Sequence, residues 1–548
     1  MASTAALQAI VAVIKNRILA PKGGRTRGQR ALLLAIISTL LLVAKYPNRA
    51  LLTRARPDLK AISWKGWPLV GNTITVIRNR ARFLDQITEG FDDFPGDVMA
   101  TTILGLGHVI AINEPVCLEH VLKTNFENYE KGAILNTVLR QVLGDGIFDS
   151  DGQLWRMHRK TASHVFSTKI YRQLIDGCFH DHTQHLCRVL DQAAVAGKPV
   201  DLQALFLRLT LDAFAKLSFG LDIDSLGKDG QDPFGSAFDF AVQQTDMRFL
   251  NPLWRITEVF SGNARRMRQA VAVIDRYAFD AIRNRKRETE EERARRQSHG
   301  REDLLDLFLK YRDDEGKALG DVELRDVYVN FIIAGRDTTA QALSWMYYEV
   351  MKNPTVQENL WKEIDRINQP KATYEMLTKE MRYSHAVFLE SLRLYPPVPR
   401  NLKTAVADDV LPNGVQVKAG DRIMFSTYSI GRNRSVWGPQ AREFLPERWF
   451  EGNTKEIEKG LLDHHASVTG EWPKVRKESQ YKFSSFNAGP RICLGQTFAT
   501  LEALTVINAI SSRFEFKLVP GQAPAVPLPS LTIPMKNPLM VTVHRRQL

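Results

Sequence analysis

Between Asp321 and Asn353 the chain reads DVELRDVYVNFIIAGRDTTAQALSWMYYEVMKN, with no proline and an apolar middle. As a helix it is about 45–50 Å long at the standard rise. It is apolar on nearly every side, so it must be sheathed in protein and cannot lie on a surface. A rod of that kind crosses a whole core, and 548 residues suffice to wrap it. Helical patterns dominate from about Glu119 to Asp365. Strand-like runs flank them: DVMATTILGLGHVIAI (Asp97–Ile112) in front, VQVKAGDRIMFSTY and PLMVTVHRRQ behind. The expected class is mainly α with minor β, one large domain built round a long central helix.

The net charge of +13 raises the question of nucleic acid. Residues 1–60 carry eleven basic side chains against Asp58 alone, so +10 lies there and only +3 on the rest. A nucleic-acid surface would place its basic groups on the folded domain. Here they flank two apolar stretches, about 5–14 and 31–44, which points to a bilayer with anionic lipid. The second stretch, ALLLAIISTLLLVA, spans roughly 21 Å as a helix, against a hydrocarbon core of about 30 Å. Residues 1–63 therefore read as a membrane-anchoring region, retained because no clear cleavage site follows. WKGWPLVGNT (Trp64–Thr73) is the turn into a folded domain covering residues 64–548. One later charge run, RNRKRETEEERARRQ (Arg283–Gln297), reads as a solvated helix continuing from Ala264.

The four cysteines, Cys117, Cys178, Cys187 and Cys493, form no CxxC pair and no zinc spacing. The first three read as small buried residues. Cys493 is different, lying in FSSFNAGPRICLGQ immediately before a good helical pattern. It is open to three readings: an apolar residue, half of a disulfide, or a metal thiolate. A helix N-terminus favours the thiolate. Gly489 and Gly495 permit close approach of a flat partner. Arg491 stays charged and suits a carboxylate, and Phe486 shields the sulfur. A thiolate offered to a large, flat, acidic cofactor satisfies all of these.

Phe486-x-x-Gly489-x-Arg491-x-Cys493-x-Gly495 resembles the haem-binding signature of the cytochrome P-450 superfamily. Other motifs of that family follow suit. AGRDTT (Ala334–Thr339), midway along the long helix, resembles its oxygen-activation motif; Asp337 and Thr338, an acid beside an alcohol, can relay protons. Gly335 would let the helix ladder open there. Glu390 and Arg393 in ESLR, with Arg448 in LPERW, resemble its structural network. Trp155 and Arg159 in WRMHRK, and Arg400 in PPVPR, resemble its propionate contacts. His158 reads as surface or core. The resemblance covers the chain from about residue 64 and implies the cytochrome P-450 fold. It also implies haem b (iron protoporphyrin IX) with Cys493 as axial thiolate, which favours O–O cleavage.

LGDGIFDSDGQLWRMHRKTASHVFS, FIIAGRDTTAQALSW and FNAGPRICLGQ together look like the long-chain fatty acid and alkane hydroxylase group of fungi and plants. That resemblance implies a membrane-bound monooxygenase acting on unactivated C–H bonds of lipophilic substrates. The alternatives are the same chemistry on a terpenoid, polyketide or xenobiotic, and a non-catalytic haem protein. Substrate contacts are expected from Phe331, Ala334, Val398, Leu531 and Thr532. Ala334 stands where some animal fatty-acid hydroxylases carry a Glu esterified to haem, so the haem here is held without that link. Nothing resembles a flavin or nicotinamide domain. Electrons are therefore expected from an NADPH-cytochrome P-450 reductase, with cytochrome b5 a further partner, docking on Lys474, Arg476, Lys477 and Lys482. The expected location is the endoplasmic reticulum membrane, catalytic domain toward the cytosol, with no nucleic-acid partner.

Overall fold

The computed structural model describes residues 27–94, 97–228, 233–296, 303–452 and 470–547. The first apolar stretch, about 5–14, lies outside them.

The apolar run 31–44 lies within helix α1 (Arg27–Lys45), where Leu32, Leu34, Ile36, Leu40 and Leu42 are exposed. Among the described residues no helix is long and apolar enough to cross a membrane. The short span expected there is thus seen as a helix but not as a membrane-crossing one; only α1's central part is free of charge.

Among the described residues ten strands form three small sheets. The five-stranded sheet runs β1 (Val98–Ile103), β2 (Gly107–Ile112), β8 (Arg422–Phe425), β5 (Asn401–Ala405), β3 (Tyr129–Glu130). β1 and β2 pair antiparallel with Val98 opposite Ile112, and β2 runs parallel to β8. A second sheet sets β10 (Met540–Arg545) between β4 (Val200–Asp201) and β9 (Phe514–Leu518), and a third pairs β6 (Asp409–Val410) with β7 (Gln416–Val417). All three expected strand regions are present.

Helices make up most of what remains: α2 (Gly132–Leu143), α3 (Gly152–Ser163), α4 (Leu202–Phe219), α5 (Pro233–Leu250), α6 (Trp254–Phe260), α7 (Asn263–Arg287), α8 (Asp321–Lys352), α9 (Arg382–Leu394) and α10 (Gln496–Ser511). The central rod is α8. Asp321 and Glu323 open it and Lys352 closes it, matching the helix dipole. Pro354 stops it from continuing. α8 packs against α4, α7, α9 and α10.

Burial obliges the polar residues of α8 to find partners, and those partners fix the loops around it. The Asn330 amide donates to the Leu143 carbonyl (2.7 Å), and its own oxygen accepts from the Phe148 N–H (3.1 Å). Gln341 donates to the Thr532 hydroxyl (2.9 Å), and the Trp345 indole donates to the Ile533 carbonyl (2.8 Å).

The charge run is not the continuous solvated helix its composition suggests. The helix ends at Arg287, Glu288 turns into extended backbone, and a second helix covers Glu290–Arg296. Arg285 is buried and donates to Asp303 and Asp306, both at 2.8 Å. Arg296 folds back to Glu288 (2.8 Å) and Asp306 (2.8 Å). Asp303 and Asp306, which hold Arg285 and Arg296, lie beyond the run in sequence, out of reach of a local charge pattern.

Candidate active site

The loop before α10 is held by its own backbone. The Cys493 N–H donates to the Phe486 carbonyl at 2.8 Å. Gly489 has φ +64°, and a Cβ there would lie 2.0 Å from the Leu122 carbonyl oxygen. Only glycine fits that place. At Gly495 φ is ordinary, and a Cβ would meet Cys493 Sγ and a Phe166 ring carbon at 3.9 Å, a normal contact. Within the protein itself, then, the close-approach argument made for both glycines applies to Gly489 alone.

Cys493 is exposed and unpaired by any disulfide. Of the three readings of this residue, disulfide half is removed, and its open sulfur does not suit an apolar core role. The residue is open on one side, yet the surrounding protein still desolvates its thiol. Burial pushes the thiol pKa up, while the Gly495 N–H and the Arg159 guanidinium work in the other direction. The expected helix-terminus effect is therefore present but outweighed.

Trp155, Arg159 and Arg491 come together beside this loop. Trp155 is buried, and the Arg491 guanidinium carbon lies 4.4 Å from its ring centre. Arg159 donates to the Ile492 carbonyl at 2.7 Å, tying α3 to the residue before the cysteine. Arg491 donates to Asp151 (2.6 Å) and to the Ser150 carbonyl (3.0 Å), yet its buried Nε has no partner. Phe486 is half-buried against the core. His158 is buried, with its pKa pushed down to about 4 by burial, and is a core residue as expected.

Arg400 is not in this cluster. It pairs with the buried Asp246 of α5 and lies over the Phe83 ring. Lys403, three residues on, is buried instead near Arg491 and Lys131. Burial and then Lys131 and Arg491 hold the Lys403 pKa well below its ordinary value. Burial and then Arg491 push Lys131 down to about 8. Burial likewise lowers Arg491, with Arg159 adding to the effect. Cations crowded out of water beside an orphaned guanidinium nitrogen suit an acidic group placed among them. A flat cofactor carrying carboxylates and ligated by Cys493 fits these residues. Lys131 and Lys403 escaped the sequence reading because neither belongs to a signature; a lone lysine beside a strand gives no signal.

On α8, Asp337 is buried and its pKa is pushed up to about 6 by burial, against the pull of Arg336. The Thr338 hydroxyl donates back to the Ala334 carbonyl at 2.7 Å. The helix is unbroken at Gly335. A Cβ there would lie 1.9 Å from the Phe214 ring, so this glycine lets α4 pack close; it does not open the ladder. Glu502 of α10, also absent from the sequence reading, is buried under this turn with neither carboxyl oxygen hydrogen-bonded. Burial pushes it up to about 8, with Thr339 pulling the other way.

Glu390, Arg393 and Arg448 meet around one buried carboxylate. Arg393 grips both oxygens of Glu390 at 2.7 and 2.8 Å. Arg448 Nε (2.9 Å), the Trp449 indole (3.0 Å) and the Leu445 N–H (2.8 Å) complete the carboxylate.

Of the residues expected to meet substrate, Thr532 lines a cleft with Phe83, Leu84, Leu250 and Pro399. Val398 and Leu531 are next to residues of that cleft in sequence, Val398 exposed and Leu531 half-buried. Ala334 is half-buried on α8. Phe331 is buried with its ring 6.3 Å from that of Phe308, a core contact.

Comparison with known proteins bears on these features together. The family model described as Cytochrome P450 matches residues 63–542. The chain is 37% identical over 530 residues to cytochrome P450 monooxygenase cyp1 of Mycosarcoma maydis, covering 93% of this chain and 79% of that protein. It is 33% identical over 520 residues to cytochrome P450 704B1 of Arabidopsis thaliana, covering 88% and 94%. It is 36% identical over 451 residues to cytochrome P450 86B1 of the same plant, covering 79% and 76%.

Proposed function

We propose, from the premise that the chain belongs to the cytochrome P450 family, that it hydroxylates fatty acids or alkanes at unactivated C–H bonds. Members of the family are monooxygenases, oxidoreductases that incorporate one oxygen atom into substrate. Haem, ligated by the Cys493 thiolate, supplies the oxygen activation when bound.

The protein's own residues divide the remaining work. Lys131, Lys403, Arg159 and Arg491 neutralise the cofactor's carboxylates, with Trp155 walling one side. Arg400, assigned to that task by its sequence motif, is engaged with Asp246. Thr338 and Asp337 move protons toward the reacting oxygen, the acid accepting from solvent and the alcohol passing on. Glu390, Arg393 and Arg448 fix α9 against the chain at 431–449.

The observation carrying the substrate class is the cleft at Phe83, Leu84, Leu250 and Pro399. Those apolar side chains, with Pro527 and Leu528, share its walls with Arg80, Arg82, Asp85 and Arg400, and Thr532 in its lining bonds to Gln341, three residues beyond Thr338 on α8. A lipophilic chain lying there leads to the acid–alcohol pair. Exposed apolar side chains on α6 (Ile256, Val259, Phe260), beside Leu253, and on α1 suit a bilayer surface. They support placement on the endoplasmic reticulum membrane, with a reductase supplying electrons from NADPH.

Titrating the holoprotein with fatty acids and alkanes of graded length tests this directly. Displacement of the iron's water ligand, read in the visible spectrum, and terminal or near-terminal hydroxy products are expected. No spectral response to any of them, with a response to a terpenoid or polyketide panel, would transfer the assignment to secondary metabolism.

A further inference from the structure

Arg336, next to the acid of the relay, has one nitrogen serving two carboxylates. Its Nη1 donates to Asp337 Oδ1 at 2.8 Å and to Asp239 Oδ1 at 2.6 Å. The two acids are not alike. Asp337 is 5% exposed, whereas Asp239, on α5, is 53% exposed. Arg336 itself is buried, lies over the Phe238 ring of α5, and leaves its Nε without a partner. Its backbone is fixed from the other side, where the Thr210 hydroxyl of α4 donates to the Arg336 carbonyl at 2.7 Å.

We propose that Arg336 is a positioning residue that couples the seat of α5 to the protonation of Asp337. Its Nη1 is divided between a solvent-facing and a buried carboxylate, so a shift of α5 away from α8 hands the guanidinium to Asp337 alone. The inference rests on the reading of Asp337 and Thr338 as the proton relay.

The direction follows from the charges. Burial raises the Asp337 pKa to about 6, Arg336 lowers it, and Asp239 raises it. Among the described residues, these are the charged groups acting on Asp337. α4 presents Thr210 and Phe214, and α10 turns Glu502 to Thr339. Withdrawing Asp239 removes a repelling charge and frees the guanidinium. Both changes favour the ionised form of Asp337, so its pKa falls. With α5 seated, Asp337 keeps its proton to a higher pH and stays linked through Arg336 to a carboxylate in solvent. With α5 displaced, it releases its proton and the link is broken. The position of a helix over the cleft thus sets whether the acid is loaded.

Infrared difference spectroscopy of the holoprotein against pH reads this without turnover. The band of the protonated carboxyl lost in Asp337→Asn identifies the group. In the unaltered chain that band is expected to titrate near pH 6. Asp239→Asn, a change at an exposed side chain, is expected to move the midpoint down by about 0.5–1 pH unit. Arg336→Gln is expected to move it up by about a unit or more, with Arg336→Lys returning it part of the way. An unmoved midpoint in Asp239→Asn overturns the proposal, whatever the Arg336 variants do. The relay has its own check. Product formed per NADPH consumed, with dodecanoic acid as probe, should fall several-fold in Asp337→Asn. If it does not, the relay reading fails even where the midpoint moves as expected.

Discussion

Arg393 lays its guanidinium edge along the Glu390 carboxylate, two bonds of 2.7 and 2.8 Å between side chains from which water is wholly excluded. The pair is one turn of α9, but Arg393 also donates to the Ala441 (2.6 Å) and Glu443 (2.8 Å) carbonyls, so it pins a distant loop. Glu390→Ala leaves Arg393 and Arg448 as uncompensated buried charges, a loss of about 3–5 kcal/mol. Arg393→Lys keeps the charge but loses the fork. Thermal unfolding should show both variants destabilised, Glu390→Ala the more, with soluble holoprotein yield falling in the same order.

The two glycines of the cysteine loop should behave differently. Gly489→Ala meets both a positive φ and the Leu122 carbonyl, a cost above about 1 kcal/mol. It should lower the unfolding temperature of the apoprotein. Gly495→Ala meets only ordinary contacts and should leave the apoprotein's stability unchanged. If Gly495 makes room for the cofactor, that variant loses haem retention instead. Parallel melts and haem-binding titrations separate the two effects.

Cys493→Ser should fold as the parent does, because the side chain is exposed and packs no core. The reduced carbon-monoxide complex should lose its thiolate-type absorption. Survival of that band would remove Cys493 as the axial ligand.

What could be seen in the sequence were features whose cause is local. The absence of proline and the apolar girth of Asp321–Asn353 dictate a buried helix, and that helix is observed almost to the residue. The spacing of Glu390 and Arg393 puts both on one turn, so their pairing needs no tertiary knowledge. What stayed hidden depends on partners distant along the chain. Arg400 looks available until Asp246 of α5 folds against it. Gly335 looks like a place for a helix to open until Phe214 of α4 fills the space. Glu502 is an unremarked acid in a helical pattern until α8 covers it.

Glu502 gives stability a particular pH dependence. Its folded pKa is about 8, above the ordinary carboxylate value, because burial opposes its charge. The folded state therefore holds a proton that the unfolded chain gives up at lower pH. Stability falls as pH rises from the ordinary carboxylate range to about 8, and levels off beyond. Glu502→Gln mimics the protonated form and removes that slope. The variant should match the parent near pH 4 and exceed it near pH 8 by a few kcal/mol, on the order of 1.4 per unit of displacement. Denaturant melts at the two pH values check this; equal gains at both would mean that packing, not ionisation, is responsible.

The basic residues before the cysteine loop are not equivalent, and reductase docking should reveal it. Glu478 accepts from Lys482 at 3.0 Å and pairs with Arg476 at 2.9 Å. Lys482 also lies 4.6 Å over the Trp437 ring, so most of its charge is spent inside the protein. Lys474 reaches Glu451 at 3.7 Å, a loose and solvated contact. Lys477 is exposed, with no ion pair among the described residues. An acidic partner approaching this face is steered by charge still open to water. Lys477→Glu should therefore slow the first electron transfer several-fold at low salt, an effect that shrinks as ionic strength rises. Lys482→Glu should instead lower thermal stability, since it sets a new carboxylate against Glu478. Stopped-flow reduction with the purified flavoprotein, run at two salt concentrations, distinguishes them. Equal slowing by both variants, insensitive to salt, would place the docking surface elsewhere.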